Sequence, residues 1–321
     1  MVLIFLAICT GIALLAFGAE RFVGAAASLA RRLGVSPLFV GLTIVSAGTS
    51  FPELLVSTTA VLSGHSAMAL GNVLGSNIAN VFLVLGLSSL LHPVKVDAQV
   101  IGRDYSALLL ATVTAWLMAG NGVLGRLEGV VLVAGLIAYY AVTLRSAGAG
   151  GDWKLSGATS KDGHLPTQSF YGLVVRLVAS LVLLLVGSRL LIWGSVGFAR
   201  AMGVSELVIG LTLVAVGTSL PELATTLTGI IKKQDAIALG NVVGSNMFNT
   251  LAVLGSISVL SPLPITSEIS TRDFPVTLLA SLILWPISWS RLRGRGMVNR
   301  LEGGILLGLY GAYLYLLAGS H

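Results

Sequence analysis

The chain has 321 residues, of which 55% are hydrophobic and only 10% are charged, and its mean hydropathy is +0.94. A soluble domain carries about 25% charged residues, so this chain has too few charges to cover a water-facing surface. Its net charge of +6 is spread between apolar segments instead of forming a basic patch with aromatic residues, which argues against nucleic acid as a partner. The composition predicts an all-α protein that crosses a membrane several times.

Apolar runs separated by Gly, Pro and charged residues predict ten transmembrane helices, because about 20 residues of helix cross the hydrocarbon core of a bilayer. The first run lacks a basic leader and a cleavage site, so we interpret it as a span and not as a signal peptide. The predicted spans begin near residues 2, 36, 67, 104, 127, 170, 205, 236, 274 and 300.

The basic residues predict the orientation of these spans. If the loop with Arg31 and Arg32 is cytoplasmic, fourteen of the 19 Lys and Arg residues lie on that side and three lie outside. The other two, Arg21 and Arg189, are close enough to an interface for their side chains to reach it. This excess predicts that both termini are outside the cytoplasmic (inner) membrane. The single cysteine, Cys9, excludes an intrachain disulfide.

Two sequence motifs occur twice at one spacing. Residues 41–53 read GLTIVSAGTSFPE and residues 210–222 read GLTLVAVGTSLPE, while residues 69–86 and 238–255 share ALGNV and GSN at the same offset of 169. The chain is therefore two homologous halves. With five spans in each half, an odd number, the second half enters the membrane from the opposite side, which predicts inverted repeats. We expect the first repeat in residues 1–145, a cytoplasmic linker in 146–169 and the second repeat in 170–321.

Glu53 and Glu222 lie deep in apolar segments, where an unpaired carboxylate costs at least about 2.5–3.5 kcal/mol on insertion scales. Each follows a proline, Pro52 or Pro221, which removes a backbone donor and is expected to break the helix. Freed carbonyls inside a membrane are tolerated where they line a cavity, and they are good cation ligands. The pair predicts a buried cation site.

Other polar residues recur at helical spacing around these acids. Thr49 and Ser50 lie on the face of Glu53, and Thr218 and Ser219 stand likewise to Glu222. A polar stripe on the following helix consists of Asn72, Ser76 and Asn80 in the first half and Asn241, Ser245 and Asn249 in the second. The glycines beside it, Gly71, Gly75, Gly240 and Gly244, favour close helix packing.

These groups form an oxygen-only ligand set, since all four histidines lie in loops or at the C-terminus. Oxygen ligands with two acids suit Ca²⁺ or Na⁺ and argue against Zn²⁺ or Cu⁺. No nucleotide-binding motif is present, so we expect transport driven by an ion gradient, with no cofactor.

At G-T-S-x-P-E and G-N-V-x-G-S-N-x-x-N, each present twice, the chain resembles the cation/calcium exchanger superfamily, and most of all its compact prokaryotic inner-membrane branch. The resemblance implies ten helices in two inverted repeats of five, with a midplane site on helices two, three, seven and eight. It also implies that the first and sixth helices slide across the rest to alternate access. The ligands it implies are Glu53, Thr49, Ser50, the Ser46 carbonyl, Ser76, Asn80, Glu222, Thr218, Ser219, the Ala215 carbonyl, Ser245 and Asn249.

The resemblance leaves the counter-ion open. Asn249 stands where archaeal sodium/calcium exchangers of this superfamily carry Asp, so the site has two carboxylates. One Ca²⁺ balances them, three Na⁺ would leave a positive charge, and protons could neutralise both acids when Ca²⁺ leaves.

We therefore predict an antiporter that exchanges Ca²⁺ for Na⁺ or H⁺, and not an enzyme. The alternatives are a gradient-driven cation channel and an antiporter for another divalent or monovalent cation. Besides membrane lipid and the transported ions, the sequence indicates no protein partner.

Overall fold

The computed structural model describes residues 1–95, 100–148, 169–203, 215–289 and 296–319. Its helices are α1 (Val2–Leu33), α2 (Pro37–Thr49), α3 (Phe51–Leu62), α4 (Ser66–Leu91), α5 (Ser106–Met118), α6 (Arg126–Gly148), α7 (Phe170–Ala201), α8 (Ala215–Thr218), α9 (Leu220–Ile231), α10 (Asp235–Leu260), α11 (Phe274–Trp289) and α12 (Arg300–Gly319). The strands are β1 (Val94–Lys95), β2 (Val123–Leu124), β3 (Leu263–Pro264) and β4 (Met297–Val298).

Wide π-helical turns interrupt several of these helices. They occupy Gly41–Val45 in α2, Asn80–Leu85 in α4 and Asn249–Val253 in α10, and they precede α5 and α11 as Val100–Tyr105 and Ile269–Asp273. A 3-10 turn, Ala119–Asn121, follows α5. Because such turns are often found at functional sites, the two that begin at Asn80 and Asn249 draw attention to those residues.

Local sequence signals explain the boundary between α1 and α2. Gly34 has φ 68°, a left-handed conformation that glycine adopts without a Cβ penalty, and it ends α1. The Ser36 hydroxyl then accepts the Phe39 N–H at 3.0 Å, and Pro37 occupies the first helical position, where its missing N–H is not needed. The chain therefore turns back sharply after its first long helix.

Helices α1 and α7 pack against each other in antiparallel directions, and the contact is reciprocal. An added Cβ at Gly18 would lie 2.9 Å from the Leu184 nitrogen, and one at Gly187 would lie 2.8 Å from the Leu15 nitrogen. Leu15 and Leu184, like Gly18 and Gly187, are 169 positions apart. The glycines let the two backbones approach as closely as small residues allow in membrane helices.

Helices α4 and α10 are the buried centre of the fold, whereas α1, α6 and α7 expose most of their surface. The two halves are also joined by short antiparallel ribbons, in which β1 pairs with β4 and β2 pairs with β3. Each ribbon thus takes one strand from each half, and the halves cannot separate without breaking both.

The offset of 169 does not extend to the end of each half. Helices α6 and α12 both begin with Arg-Leu-Glu-Gly, but these sequences are 174 positions apart. The contacts confirm that alignment, because a Cβ at Gly129 would lie 2.6 Å from the Gly255 oxygen and one at Gly303 would lie 2.7 Å from the Gly86 oxygen. The paired motifs, which share one offset, do not predict this five-residue change of register.

The predicted helix starts agree well with the structure. Starts near 2, 36, 67, 104, 127, 170, 236, 274 and 300 fall within two residues of an observed helix, and the start near 205 lies outside the described residues. Within the described ranges, five helices are long and apolar enough to span a membrane, and the bent pair α2 and α3 makes a sixth. The helical membrane fold is confirmed, while the count of ten spans stays a prediction. Most of the predicted linker, 149–168, lies outside the described residues.

Candidate functional site

Two helix breaks lie at the prolines, as predicted. Helix α2 ends at Thr49 and α3 begins at Phe51, and the two are bent by 41°. The residue between them, Ser50, has φ −85° and ψ 8°, and its counterpart Ser219, between α8 and α9, has φ −86° and ψ 6°. The two halves therefore make the same break with the same backbone conformation.

Glu53 and Glu222 lie in the first turn after each break, and both side chains are fully buried. No ion pair among the described residues involves either carboxylate. Arg21, whose side chain was expected to reach an interface, lies over the Phe17 ring, 4.8 Å from its centroid. A buried carboxylate without a cationic neighbour is costly, so these two acids indicate a site that receives a cation.

Contacts between the halves bring the two breaks together. The Ser50 hydroxyl donates to Glu222 Oε1 at 2.9 Å, and the Thr49 hydroxyl donates to Asn241 Oδ1 at 3.0 Å. The mirror contact, from the Thr218 hydroxyl to Asn72 Oδ1, is longer at 3.5 Å. Each break thus contacts the polar stripe of the opposite half.

Asn72 and Asn241 have a role that the sequence did not reveal. The Asn241 amide donates to the Glu222 backbone carbonyl at 3.3 Å and to the Thr226 hydroxyl at 3.0 Å. Asn72 repeats this arrangement with the Glu53 carbonyl at 3.4 Å and the Ser57 hydroxyl at 3.0 Å. These amides fix the backbone of both glutamates. The sequence signal for this role is that Ser57 and Thr226, their two hydroxyl partners, are also 169 positions apart.

The rest of the polar stripe is also buried. Ser76, Asn80, Ser245 and Asn249 are at most 2% exposed, and the Ser245 hydroxyl lies 3.5 Å from the Thr49 hydroxyl. Two of these four side chains, Ser76 and Asn249, have no hydrogen-bond partner. The buried oxygens without one include both of Glu53, Oε2 of Glu222, the hydroxyls of Ser76 and Ser219, and Oδ1 of Asn80 and Asn249.

Unpartnered buried oxygens are rare in native proteins, because each costs free energy unless a water or an ion satisfies it. Here they are carboxylate, hydroxyl and amide oxygens, which are the ligand types that hard cations take. Among the described residues, no three His, Cys, Asp or Glu side chains gather into a metal-binding cluster. The donor set therefore fits a cation bound mainly by oxygens of neutral groups, with two carboxylates.

A second amide network lies next to the stripe. The Asn77 amide donates to the Thr250 hydroxyl at 2.9 Å, and the Asn80 amide donates to Asn246 Oδ1 at 3.0 Å. The Asn246 amide in turn donates to the Asn77 backbone carbonyl at 3.2 Å. Asn80 therefore has its amide nitrogen engaged, which leaves its oxygen available. Asn77, Asn246 and Thr250 lie outside the four-residue spacing of the polar stripe, so the sequence did not predict them.

The resemblance also implies two backbone carbonyl ligands, those of Ser46 and Ala215. The Ser46 carbonyl accepts the Ser50 N–H at 2.9 Å and lies 3.3 Å from the Thr49 hydroxyl, so it already has a partner. Ala215 is the equivalent residue of the second half, and it is the first residue of α8. Proline instead frees the carbonyl of Gly217, four residues before Pro221, and the Ser188 hydroxyl of α7 donates to it at 3.0 Å.

The glycines beside the stripe behave differently in the two halves. A Cβ at Gly244 would lie 2.5 Å from the Leu42 oxygen and 2.6 Å from the Ser46 hydroxyl, and Gly240 is equally close to α2. The predicted close packing is confirmed there. At Gly71 and Gly75, no described atom lies within 4 Å of an added Cβ.

An apolar helical bundle with two broken helices and a buried oxygen site defines a membrane transporter. Comparisons agree with this class. The sequence profile of the sodium/calcium exchanger protein family matches residues 3–145 and 172–319. The chain belongs to this family.

Similar proteins cover almost the whole chain. A putative antiporter, CaxA of Alkalimonas amylolytica, is 42% identical over 98% of this chain and 98% of its own length. The inner membrane protein YrbG of Escherichia coli is 38% identical over 96% of this chain and 95% of its own. Among solved structures, the sodium-calcium exchanger NCX_Mj has a TM-score of 0.83 and 30% identity, covering 99% of this chain and 98% of that one.

These matches confirm the predicted family and the prediction that the protein is a transporter and not an enzyme, because the family consists of ion exchangers. The chain is an integral membrane protein.

Proposed function

We propose that this protein exchanges Ca²⁺ for Na⁺ or H⁺ across the cytoplasmic membrane by alternating access to one midplane site. Its ligands come from Glu53, Thr49, Ser50, Ser76, Asn80 and the Ser46 carbonyl, and from Glu222, Thr218, Ser219, Ser245, Asn249 and the Ala215 carbonyl. Ca²⁺ and the counter-ion are substrates, and no cofactor takes part.

One observation carries this proposal: two fully buried glutamates, one from each half, present unpartnered carboxylate oxygens to a group of neutral oxygens. Together they supply two negative charges when ionised, which matches one Ca²⁺. Six to eight oxygens usually surround Ca²⁺, a number that the neutral hydroxyl and amide groups can complete. A cation thus offsets the cost of burying both acids, and this cost favours refilling of the site after each release.

Alternating access follows from the arrangement proposed for the halves. We propose ten helices in two inverted repeats of five, residues 1–145 and 170–321, with 146–169 as a cytoplasmic linker and both termini outside. The reciprocal contact of α1 with α7 supports this arrangement. Inverted repeats give a protein two related conformations, one open to each side, around a site at their interface. This feature favours an exchanger over a channel.

The experiment is uptake of ⁴⁵Ca²⁺ by liposomes that contain the purified protein, with Na⁺ and H⁺ gradients imposed separately. We expect one gradient to drive uptake, and the one that does identifies the counter-ion. Glu53→Gln and Glu222→Gln keep the size of the side chain but remove its charge, so each should abolish uptake.

Glu268→Gln is the matched control, because Glu268 is an exposed carboxylate far from the breaks in sequence. It should leave uptake unchanged. Wild-type uptake in both glutamine variants of the buried acids would refute the site. Ca²⁺ flux down its own gradient with no counter-ion movement would instead support the channel.

A further inference from the structure

A groove of about 370 Å³ opens between α5 and α6, and none of the candidate cation ligands lines it. Helix α5 contributes Ala107, Leu110 and Ala111, helix α6 contributes Gly135 and Ala138, and Leu251 of α10 lies at the floor. We call this cavity the α5–α6 groove. Its walls are almost entirely apolar along residues 107–114 of α5 and 131–143 of α6, so an apolar chain fits it and a soluble metabolite does not.

One end of the groove is basic. Arg103 lines that end, and its side chain is 36% exposed while it pairs with the buried Asp104 at 3.2 Å. The Tyr139 hydroxyl also donates to Asp104, at 3.1 Å, which holds the carboxylate beneath the guanidinium. Arg145 is exposed one turn beyond Val142, another lining residue. A guanidinium is the side chain best suited to a phosphate group.

The length of the groove fits an acyl chain. From Arg103, in the π-helical turn before α5, to Thr114 of α5, the lining residues extend over about 16 Å at about 1.5 Å per residue, which is about half of a bilayer's hydrocarbon thickness. A lipid whose phosphate lies at Arg103 would therefore place one chain along the groove within a single leaflet.

The second half of the chain repeats these helices but not all of the small residues that line the groove. At four equivalent positions the side chains are larger, while Ala111 and Ala138 recur unchanged as Ala280 and Ala312. The replacements are Val276 for Ala107, Ile283 for Thr114, Leu309 for Gly135 and Phe82 for Leu251. This smaller lining is thus specific to the first half. General exposure to lipid, which both halves share, does not explain it.

We propose that the α5–α6 groove binds one anionic phospholipid, with its phosphate at Arg103 and one acyl chain along Ala107, Ala111 and Gly135. The side of the membrane with more basic residues attracts anionic lipids, and Arg103 and Arg145 lie on that side in the proposed orientation. The floor residue Leu251 belongs to the π-helical turn that begins at Asn249, so a bound lipid chain contacts the outer side of a segment that carries a candidate ligand.

The test is native mass spectrometry of the detergent-purified protein, titrated with phosphatidylglycerol or phosphatidylcholine of identical acyl chains. We expect one phosphatidylglycerol to bind more tightly than phosphatidylcholine. Arg103→Gln should weaken phosphatidylglycerol binding about fivefold, the effect of one basic residue at a membrane surface. Phosphatidylcholine binding should weaken less, because its choline already offsets the charge of its phosphate. Arg272→Gln is the matched control, because Arg272 makes the equivalent pair with Asp273 but does not line the groove.

Gly135→Leu tests the acyl chain without disturbing the ion pair. An added Cβ at Gly135 meets only Leu251, at an ordinary 3.6 Å, and leucine occurs naturally at the equivalent Leu309. This variant should weaken binding of both lipids. Binding unchanged in Arg103→Gln and Gly135→Leu, or weakened as much in Arg272→Gln, would overturn the proposal. Equal affinity for glycerol phosphate without acyl chains would also overturn it, since that result identifies a phosphate site.

Discussion

Replacing Asn241 by alanine should destabilise the protein far more than the same change at Asn72. Asn241 is fully buried and makes three hydrogen bonds, at 3.0 Å to Thr49, 3.0 Å to Thr226 and 3.3 Å to the Glu222 carbonyl. A typical buried hydrogen bond contributes about 1 kcal/mol net, so Asn241→Ala should lower the free energy of unfolding by about 3 kcal/mol.

The equivalent Asn72 is only partly buried, and just one of its three contacts is short. It lies 3.0 Å from the Ser57 hydroxyl, but 3.4 Å from the Glu53 carbonyl and 3.5 Å from the Thr218 hydroxyl. Because long bonds are weak and water can replace the lost amide, Asn72→Ala should cost about 1 kcal/mol.

Thermal and denaturant unfolding of both purified variants in the same detergent measures this difference. Ca²⁺ uptake in liposomes provides a second readout, since losing Asn241 also releases the Thr49 hydroxyl and the Glu222 backbone. Equal losses of stability in the two variants would refute the reasoning, because it depends on the difference in burial and bond length between two residues that the sequence makes equivalent.

Two further predictions concern α7. Ser188→Ala removes the donor to the Gly217 carbonyl, which the proline four residues later leaves without a helical partner. The free energy of unfolding should therefore fall by about 1–3 kcal/mol. Ser188→Thr keeps the hydroxyl and should retain most of that stability. Unchanged melting of Ser188→Ala would contradict this account. Gly187→Ala should cost about 1–3 kcal/mol, since its Cβ would come 2.8 Å from the Leu15 nitrogen, whereas Gly24→Ala, with nothing within 4 Å, should be neutral or stabilising by thermal unfolding. A similar loss in both glycine variants would argue against the close approach of α1 and α7.

Much of the fold could be read from the sequence because its signals are local. Apolar runs set the helices, Pro52 and Pro221 set the breaks, and glycine and serine set the turn after α1. The internal repeat linked distant segments without any structure, since a shared offset is visible in the letters alone. The offset of 169 no longer holds after α5 and α11. Five extra residues in the second half then shift the register of α12 relative to α6.

The sequence by itself determined that this is a helical membrane protein of two related halves with a buried acid in each, because hydropathy, repetition and proline are properties of neighbouring residues. Only the tertiary structure decided which groups meet. It paired Ser50 with Glu222 and Thr49 with Asn241 across the halves, and it left the oxygens of Glu53 without partners. It also made Asn241 fully buried and Asn72 only partly buried, although the two are equivalent in sequence. Contacts between the halves depend on how the helices pack in three dimensions. Equivalent residues of a repeat have similar neighbours in sequence, so the sequence does not show that their neighbours in space differ.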